Sequence, residues 1–265
     1  MTIYIDFIAD YGVQTGYDDL AFSEVCLRLT GEFAARTLDF PLIKSLSVNP
    51  FNTIETGFVV AQLAFNSLLG EQHIVYHNTA PRKDALAGRI DNEGEFLAVA
   101  ELPNKVRIIG VFGGYTFSFL KGVCPVYKVK CARAGSQFRS RDVFPPCVAS
   151  LAAHQRKPLS TWELLGEEVM DIPSIPENTV VSIDGYGNIK TNIPYDAAVT
   201  SVTLNNVTKE VTTGGGIFSA PDGTLIFATG SSGFNGLKCT EICLRGGNAR
   251  RLFNNPLPGA QIKIG

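Results

Sequence analysis

The chain changes rhythm about two-thirds of the way along, and that change limits its folds more than any single motif. Up to His154, strand-like and helix-like stretches alternate. "TIYIDFIAD" is apolar and β-rich, and its run length reads as a buried strand. "DDLAFSEVCLRLTGEF" carries Leu20, Phe22, Val25, Cys26, Leu27 and Leu29 mostly at helical spacing, with Asp18 and Asp19 where the helix dipole favours acids. "RTLDFPLI" reads as a second strand, "IETGFVVAQLAFNSLL" as an apolar helix capped by Gly70, and "HIVYHN" as a third strand. "EFLAVAEL", "VRIIGVFG" and "VYKVKCA" add strands, and "GYTFSFLKG" a short helix. "RDVFPPCVASLAAH" reads as a helix with Pro145 and Pro146 in its first turn.

A stretch with Pro158, Pro173 and Pro176 then breaks the alternation. After it come only short strand-like runs, "TVVSID", "NIKTNI", "SVTLNNV", "KEVTT", "TLIFATG", "KCTEICL" and "AQIKIG", separated by Gly, Asn and Asp turns. The expectation is an α/β chain in two domains. Residues 1–165 form a layered α/β domain with a mainly parallel sheet, residues 166–178 a linker, and residues 179–265 a small β-barrel or sandwich.

The 265 residues, 45% apolar, suffice for such cores. A net charge of −2 with no basic block argues against nucleic acid as the main partner. "MTIYIDFIAD" lacks a basic leader region and reads as a strand, not a signal peptide. No apolar run reaches the ~18 residues of a membrane span. The six cysteines include no CxxC pair and there are three histidines, which argues against a zinc or other metal site and for reduced thiols in the cytoplasm.

Several short stretches carry polar chemistry at strand or helix ends. "ADYG" places Asp10 after the first strand, where a carboxylate can accept both hydroxyls of a ribose or simply hold a turn. "NPFN" offers Phe51 on a loop, to cover a ring or to pack. "YHNTAPR" ends the third strand with Asn78 and Arg82. "QFRSRD" sets Phe138, Arg139 and Ser140 before the late helix, to bind an anion or to cap. "SIDGYGNIKTNIP" holds Asp184, Tyr186 and Asn188 between strand-like residues, the chemistry of a β-hairpin turn or of a ligand loop. "SGF" and "RGGNA" are glycine-rich turns. A Walker A loop, a GxGxxG after the first strand and a GxSxG elbow are missing, and so few histidines support a Ser/His/Asp triad poorly.

Taken in order, these stretches resemble one family, the S-adenosylmethionine-dependent fluorinases, chlorinases and hydroxide adenosyltransferases. "ADYGVQTGY" is similar to its opening TDFGxxDxY, and "NPFNTIETG" to its loop with a ligand-stacking aromatic. "FRSRDVFPPCVASLAAH" resembles a segment running from a Phe through an Arg–acid pair to FxPxAxLA. "IDGYGNIKTNI" resembles IDxFGNxxTNI, and "SGF" with "TEICLRGGNARRLF" the closing stretch. The likeness spans nearly the whole chain.

The resemblance implies S-adenosylmethionine as substrate, no other cofactor, a C-terminal barrel, and a homotrimer with ligand clamped between subunits. Asp10 would bind the ribose hydroxyls, with Thr15 at the second acidic position of the opening motif. Phe51 would pack on the nucleoside, Phe138 would line the nucleophile's pocket, and Ser140 would sit at its mouth. Asp184 would hold the methionine amino group, with Asn188 at the same end, Tyr186 near the nucleoside, and Ser232 in the closing stretch. The reaction would be an in-line displacement at the ribose C5′, which needs positioning more than acid–base help.

The catalytic half departs from the pattern. Hydrolytic members carry DPGVG and a later Arg where this chain has "HNTAPRKD", so Asn78 replaces the Asp and Arg82 stands for the arginine. Arg139 occupies the histidine position, Ser140 replaces a glycine as in the halogenating members, and "VFGGY" replaces PDNGL. An amide cannot serve as a base and an arginine is a permanent cation. The expectation is an enzyme cleaving S-adenosylmethionine to adenosine and methionine, or passing the adenosyl group to a halide. The alternatives are a non-catalytic adenosyl-binding homologue and a ligand-free structural trimer.

Overall fold

The structure is a computed structural model that describes residues 2–12, 20–81 and 93–265. Thr15 and Arg82, and the helix-start acids Asp18 and Asp19, lie outside the described residues. The chain forms two compact units, Met1–Ser174 and Ile175–Gly265.

The first unit is built on seven strands: β1 (Tyr4–Ala9), β2 (Leu42–Ser47), β3 (His73–Asn78), β4 (Leu97–Glu101), β5 (Arg107–Val111), β6 (Val126–Val129) and β7 (Leu165–Glu168), in the order β2-β1-β3-β5-β4-β6-β7. Alternate residues of the central strands point to opposite faces, and each face has its own core. Phe7 and Tyr76 pack with α1 (Leu20–Ala35) and α4 (Phe144–Ala153) through Phe22, Leu29, Phe33, Phe144 and Leu151. Ile8, Val75 and Ile108 pack on the other side with Val60 and Ala64 of α2 (Thr53–Phe65). Burial on both faces explains why β1 reads as a mostly apolar run, in which buried Asp6 is met by His73.

The sheet is mixed rather than mainly parallel. β1 pairs in parallel with β2 and β3, and β3 with β5. β4 runs antiparallel to β5 and β6, and β6 to β7. The reason is local: a tight turn closed by Leu102 N donating to Val106 O (2.9 Å) joins β4 to β5, and parallel strands need a long crossover instead. β7 takes Gly166–Glu168 into the sheet, and the break between units falls after Ser174. α2 ends at Phe65 and not at Gly70; Asn104 Nδ2 reaches back to the carbonyl of Ala64 (2.9 Å), and Gly70 begins a short 3-10 turn. "RTLDFPLI" contributes a strand only from Leu42, because Arg36 and Thr37 turn the chain out of α1.

The second unit holds two sheets. One has the order β12-β13-β14-β9-β8, from β8 (Val180–Ile183), β9 (Ile189–Thr191), β12 (Thr212–Gly214), β13 (Leu225–Phe234) and β14 (Leu237–Leu244). The other, β11-β10-β15, is made of β10 (Ser201–Leu204), β11 (Val207–Glu210) and β15 (Lys263–Ile264). Val180, Ile189, Val202, Phe227, Ile242 and Phe253 form one core, with Ala249 of the short α5 (Ala249–Leu252) packed in it.

Candidate functional site

β1 leads through α1 to β2 on one side of it, and β2 leads through α2 to β3 on the other. The carboxyl ends of β1 and β3 therefore sit where the chain direction diverges, the place where open α/β sheets bind ligands. Ala9 and Asn78 are register partners at that edge.

Asp10 follows β1 directly, and its Oδ2 accepts from the backbone N–H of Phe51 at 2.9 Å. Phe51 has φ +61°, a conformation that strains a non-glycine residue by about 1 kcal/mol or more. The loop holds it there. Asn52 Oδ1 caps α2 by accepting from Glu55 N (2.9 Å), and Glu55 Oε2 accepts from Asn49 N (2.7 Å) and Nδ2 (2.8 Å). The result is a fixed loop with an exposed aromatic ring, 45% accessible, next to a carboxylate.

On the other face of the same edge, Tyr11 is the hub. Its hydroxyl accepts from Asn78 Nδ2 at 2.7 Å and bonds Ser140 Oγ at 2.6 Å. Phe138 lies edge-on to the Tyr11 ring, 6.1 Å between centroids. The hydroxyl of fully buried Tyr76 donates to Ser140 O (3.2 Å), and burial first, then the neighbouring Tyr11, raises its pKa well above the ordinary phenol range. Asn78, Phe138 and Ser140 are thus brought together. Tyr11, which joins them, is the residue that sequence reasoning passed over. Its place at the aromatic position of the opening motif was the available signal.

This cluster is a neutral hydrogen-bonded chain of an amide and hydroxyls. Arg139 is directed elsewhere: Nη2 donates to Glu95 O (2.8 Å), Nη1 to Arg133 O (3.0 Å), and its guanidinium lies over the Phe144 ring at 5.1 Å. His77, one residue before Asn78, faces the α2 side against Phe117, fully buried. Burial pushes its pKa down to about 3, and neither ring nitrogen has a partner among the described residues.

A Ser, a His and an Asp do meet at the amino end of the same two strands. His73 lies between Ser67 Oγ (2.8 Å to Nδ1) and Asp6 Oδ2 (3.0 Å to Nε2). Ser67 Oγ also accepts from Leu69 N (3.2 Å), so the hydroxyl closes the turn after α2.

In the second unit, Asp184 organises its own turn. Oδ1 accepts from the N–H groups of Tyr186 and Asn188, both at 3.0 Å, and Oδ2 from Asn188 Nδ2 at 3.0 Å. Lys190 Nζ stands 3.7 Å from the same oxygen while pairing with Glu241 at 2.7 Å. The turn displays Tyr186, 81% exposed. Ser232 sits in β13 where the register with β14 shifts.

Among the described residues no group of three or more His, Cys, Asp or Glu side chains could hold a metal, and no helix is long and apolar enough to cross a membrane. No family model and no curated protein matches the sequence. The fold is that of solved structures. An uncharacterized conserved protein from Thermotoga maritima superposes with a TM-score of 0.71 at 18% identity, over 98% of this chain and 100% of the other. A conserved hypothetical protein from Thermus thermophilus does so with 0.65 at 17% identity, over 99% and 100%.

Proposed function

We propose that the β1/β3 edge binds the adenosyl group of S-adenosylmethionine and that the chain cleaves it by displacement at the ribose C5′. The supporting observation is the pairing of Asp10 with Phe51: a carboxylate able to accept ribose hydroxyls, tied by 2.9 Å to the loop that holds an exposed ring beside it. The bond from the incoming oxygen or halide to C5′ forms as the C5′–sulfur bond breaks. The sulfonium keeps the electron pair and leaves as the neutral thioether of methionine; with water, one proton goes to solvent. Tyr11, Asn78 and Ser140 would position the nucleophile by hydrogen bonds without removing its proton first. The C-terminal barrel, the homotrimer and the cytoplasmic location implied by the family resemblance belong to the same proposal. So does a methionine-end role for Asp184, whose carboxylate already serves three turn hydrogen bonds.

The second reading is an adenosyl-binding protein without turnover. Asn78 favours it, because its amide stands where hydrolytic relatives carry a carboxylate and donates to Tyr11. One experiment separates the two. The purified chain is incubated with S-adenosylmethionine, with and without chloride, products are followed by chromatography, and binding is measured by calorimetry. Adenosine or a chloride-dependent adenosyl product supports the enzyme, and tight binding with intact ligand supports the second reading. No binding, or equal binding by Asp10→Ala, sinks both.

A further inference from the structure

Cys131 and Cys147 are neighbours in the first unit. Cys131 follows β6 in a tight turn, its N–H donating to Val129 O at 2.9 Å. Its partly buried side chain packs against the apolar cluster that contains Phe144, Val148 and Cys147 itself. Cys147 stands near the start of α4, buried, with Sγ donating to Val143 O at 3.8 Å. Each thiol is the largest single influence on the ionisation of the other.

The two differ in the way that a disulfide-forming pair needs. Cys131 is the accessible member. Cys147 first, then the Leu97 backbone and the Arg139 guanidinium, favour its thiolate against the opposing effect of burial. A thiolate is the form that oxidants attack. The remaining thiols do not offer this arrangement. Burial raises Cys124 and Cys239 to about 11 and Cys243 to about 12. Cys239 and Cys243 are four residues apart on the single strand β14, about 13 Å along it, beyond disulfide reach. Cys26 lies instead 3.6 Å from Ser45 Oγ.

Position gives the pair a consequence. It encloses residues 132–146, the stretch that carries Phe138, Arg139 and Ser140. Tyr76, whose hydroxyl donates to Ser140 O, lies within electrostatic reach of both thiols.

We propose that Cys131 and Cys147 are a redox-modification site, oxidised by a peroxide to a disulfide that closes residues 132–146 into a covalent loop. The Cys131 thiolate attacks one peroxide oxygen and forms the sulfur–oxygen bond of a sulfenic acid as the oxygen–oxygen bond breaks. The released hydroxide takes up a proton and becomes water. The Cys147 sulfur then attacks the Cys131 sulfur; the sulfur–sulfur bond forms, the sulfur–oxygen bond breaks, and hydroxide leaves with the Cys147 proton as a second water. The two sulfurs lose two electrons and the peroxide gains them. Conversion of Cys131 to the sulfenic acid also removes the thiolate that held the Cys147 proton in place. The site does not rest on the adenosyl reading.

The test treats the full native chain with hydrogen peroxide, blocks remaining thiols with iodoacetamide, and maps non-reduced peptides by mass spectrometry. The expected product is a Cys131–Cys147 disulfide, formed at least about tenfold faster than Cys239 or Cys243 is lost and reversed by dithiothreitol. Loop closure should raise the melting temperature of the oxidised chain. Cys147→Ser should leave Cys131 as a sulfenic acid trapped by dimedone, and Cys147→Ala serves if that variant does not fold. Cys131→Ser should form no disulfide and leave Cys147 unoxidised. A wild type whose Cys131 goes to the sulfinic acid without pairing overturns the proposal. So does a disulfide that joins other cysteines, one that forms only in denaturant, or a melting temperature that falls on oxidation.

Discussion

Tyr11 and Ser140, 129 residues apart in the chain, share a 2.6 Å hydrogen bond that ties the end of β1 to the start of α3 (Arg139–Asp142). Asn78 Nδ2 donates to the same phenol oxygen at 2.7 Å, so one hydroxyl is shared by the amide and Ser140. Tyr11→Phe keeps the ring contacts with Phe7, Phe22 and Phe138 and removes only the hydroxyl. Two part-buried polar groups lose a partner, so unfolding free energy should fall by about 1–3 kcal/mol. Denaturant titration measures this, and Asn78→Ala on the Tyr11→Phe background should cost less than on the wild type. Strictly additive losses would mean that the three side chains are held independently.

In the second unit the decisive position is Gly187. Its φ is +85°, and a Cβ there would run into the side-chain amide of Asn248. That amide caps α5, its Oδ1 accepting from Arg251 N at 3.1 Å, and Gly187 O accepts from Arg250 N at 3.0 Å. Gly187→Ala should therefore combine backbone strain with a displaced cap and destabilise by about 2–4 kcal/mol. Gly185→Ala, with nothing within 4 Å of the added carbon, should change stability by less than about 0.5 kcal/mol. Equal effects in thermal melts would refute the assignment of the turn to Gly187.

The thiols divide by environment. Cys131 is partly exposed, and the neighbouring Cys147 thiol is the main cause that holds its pKa below the ordinary thiol range. Cys147 is held protonated by its pairing with Cys131 and by burial, and burial lifts Cys239 to about 11 and Cys243 to about 12. The thiolate is the reactive form. Iodoacetamide should modify Cys131 first, with a rate that reaches half its plateau below the ordinary thiol range, while Cys239 and Cys243 stay unlabelled until the chain unfolds. Cys147→Ala should move that midpoint up toward the ordinary thiol range. Peptide mapping by mass spectrometry would expose a different order of labelling.

The sequence made strands legible where burial on both faces favours apolar, β-rich residues, as in most of β1 and the centre of β3, and turns legible where glycine and Asx residues leave few choices, as at Asp184–Asn188. It also pointed to the loop of Phe51, because an aromatic after a proline between a strand-like and a helix-like run reads as a loop. Pairing direction was not legible: nothing local in Leu97–Glu101 says that β4 reverses, since both directions bury alternating apolar side chains equally well. The Tyr11–Ser140 bond and the bonds from Arg107 to the His154 and Lys157 carbonyls were hidden for a related reason. Each joins residues far apart in sequence, and only the folded sheet brings them within reach.

His77 provides the test by pH. Burial alone lowers its pKa from about 6.5 to about 3, because the ring sits over Gly110 and beside Phe117 with no partner for either nitrogen among the described residues. The unfolded chain thus takes up a proton near pH 6.5 that the folded chain refuses until about pH 3. The neutral ring's contribution is complete above about pH 6.5 and is lost as the pH falls through that window, at a slope of about 1.4 kcal/mol per pH unit. His77→Leu removes the group, so the difference in stability between wild type and variant should shift in the variant's favour by about that slope between pH 6 and 4. Denaturant midpoints measured on both proteins across this range give the comparison. A constant difference would mean that His77 is charged or hydrogen-bonded in the folded chain.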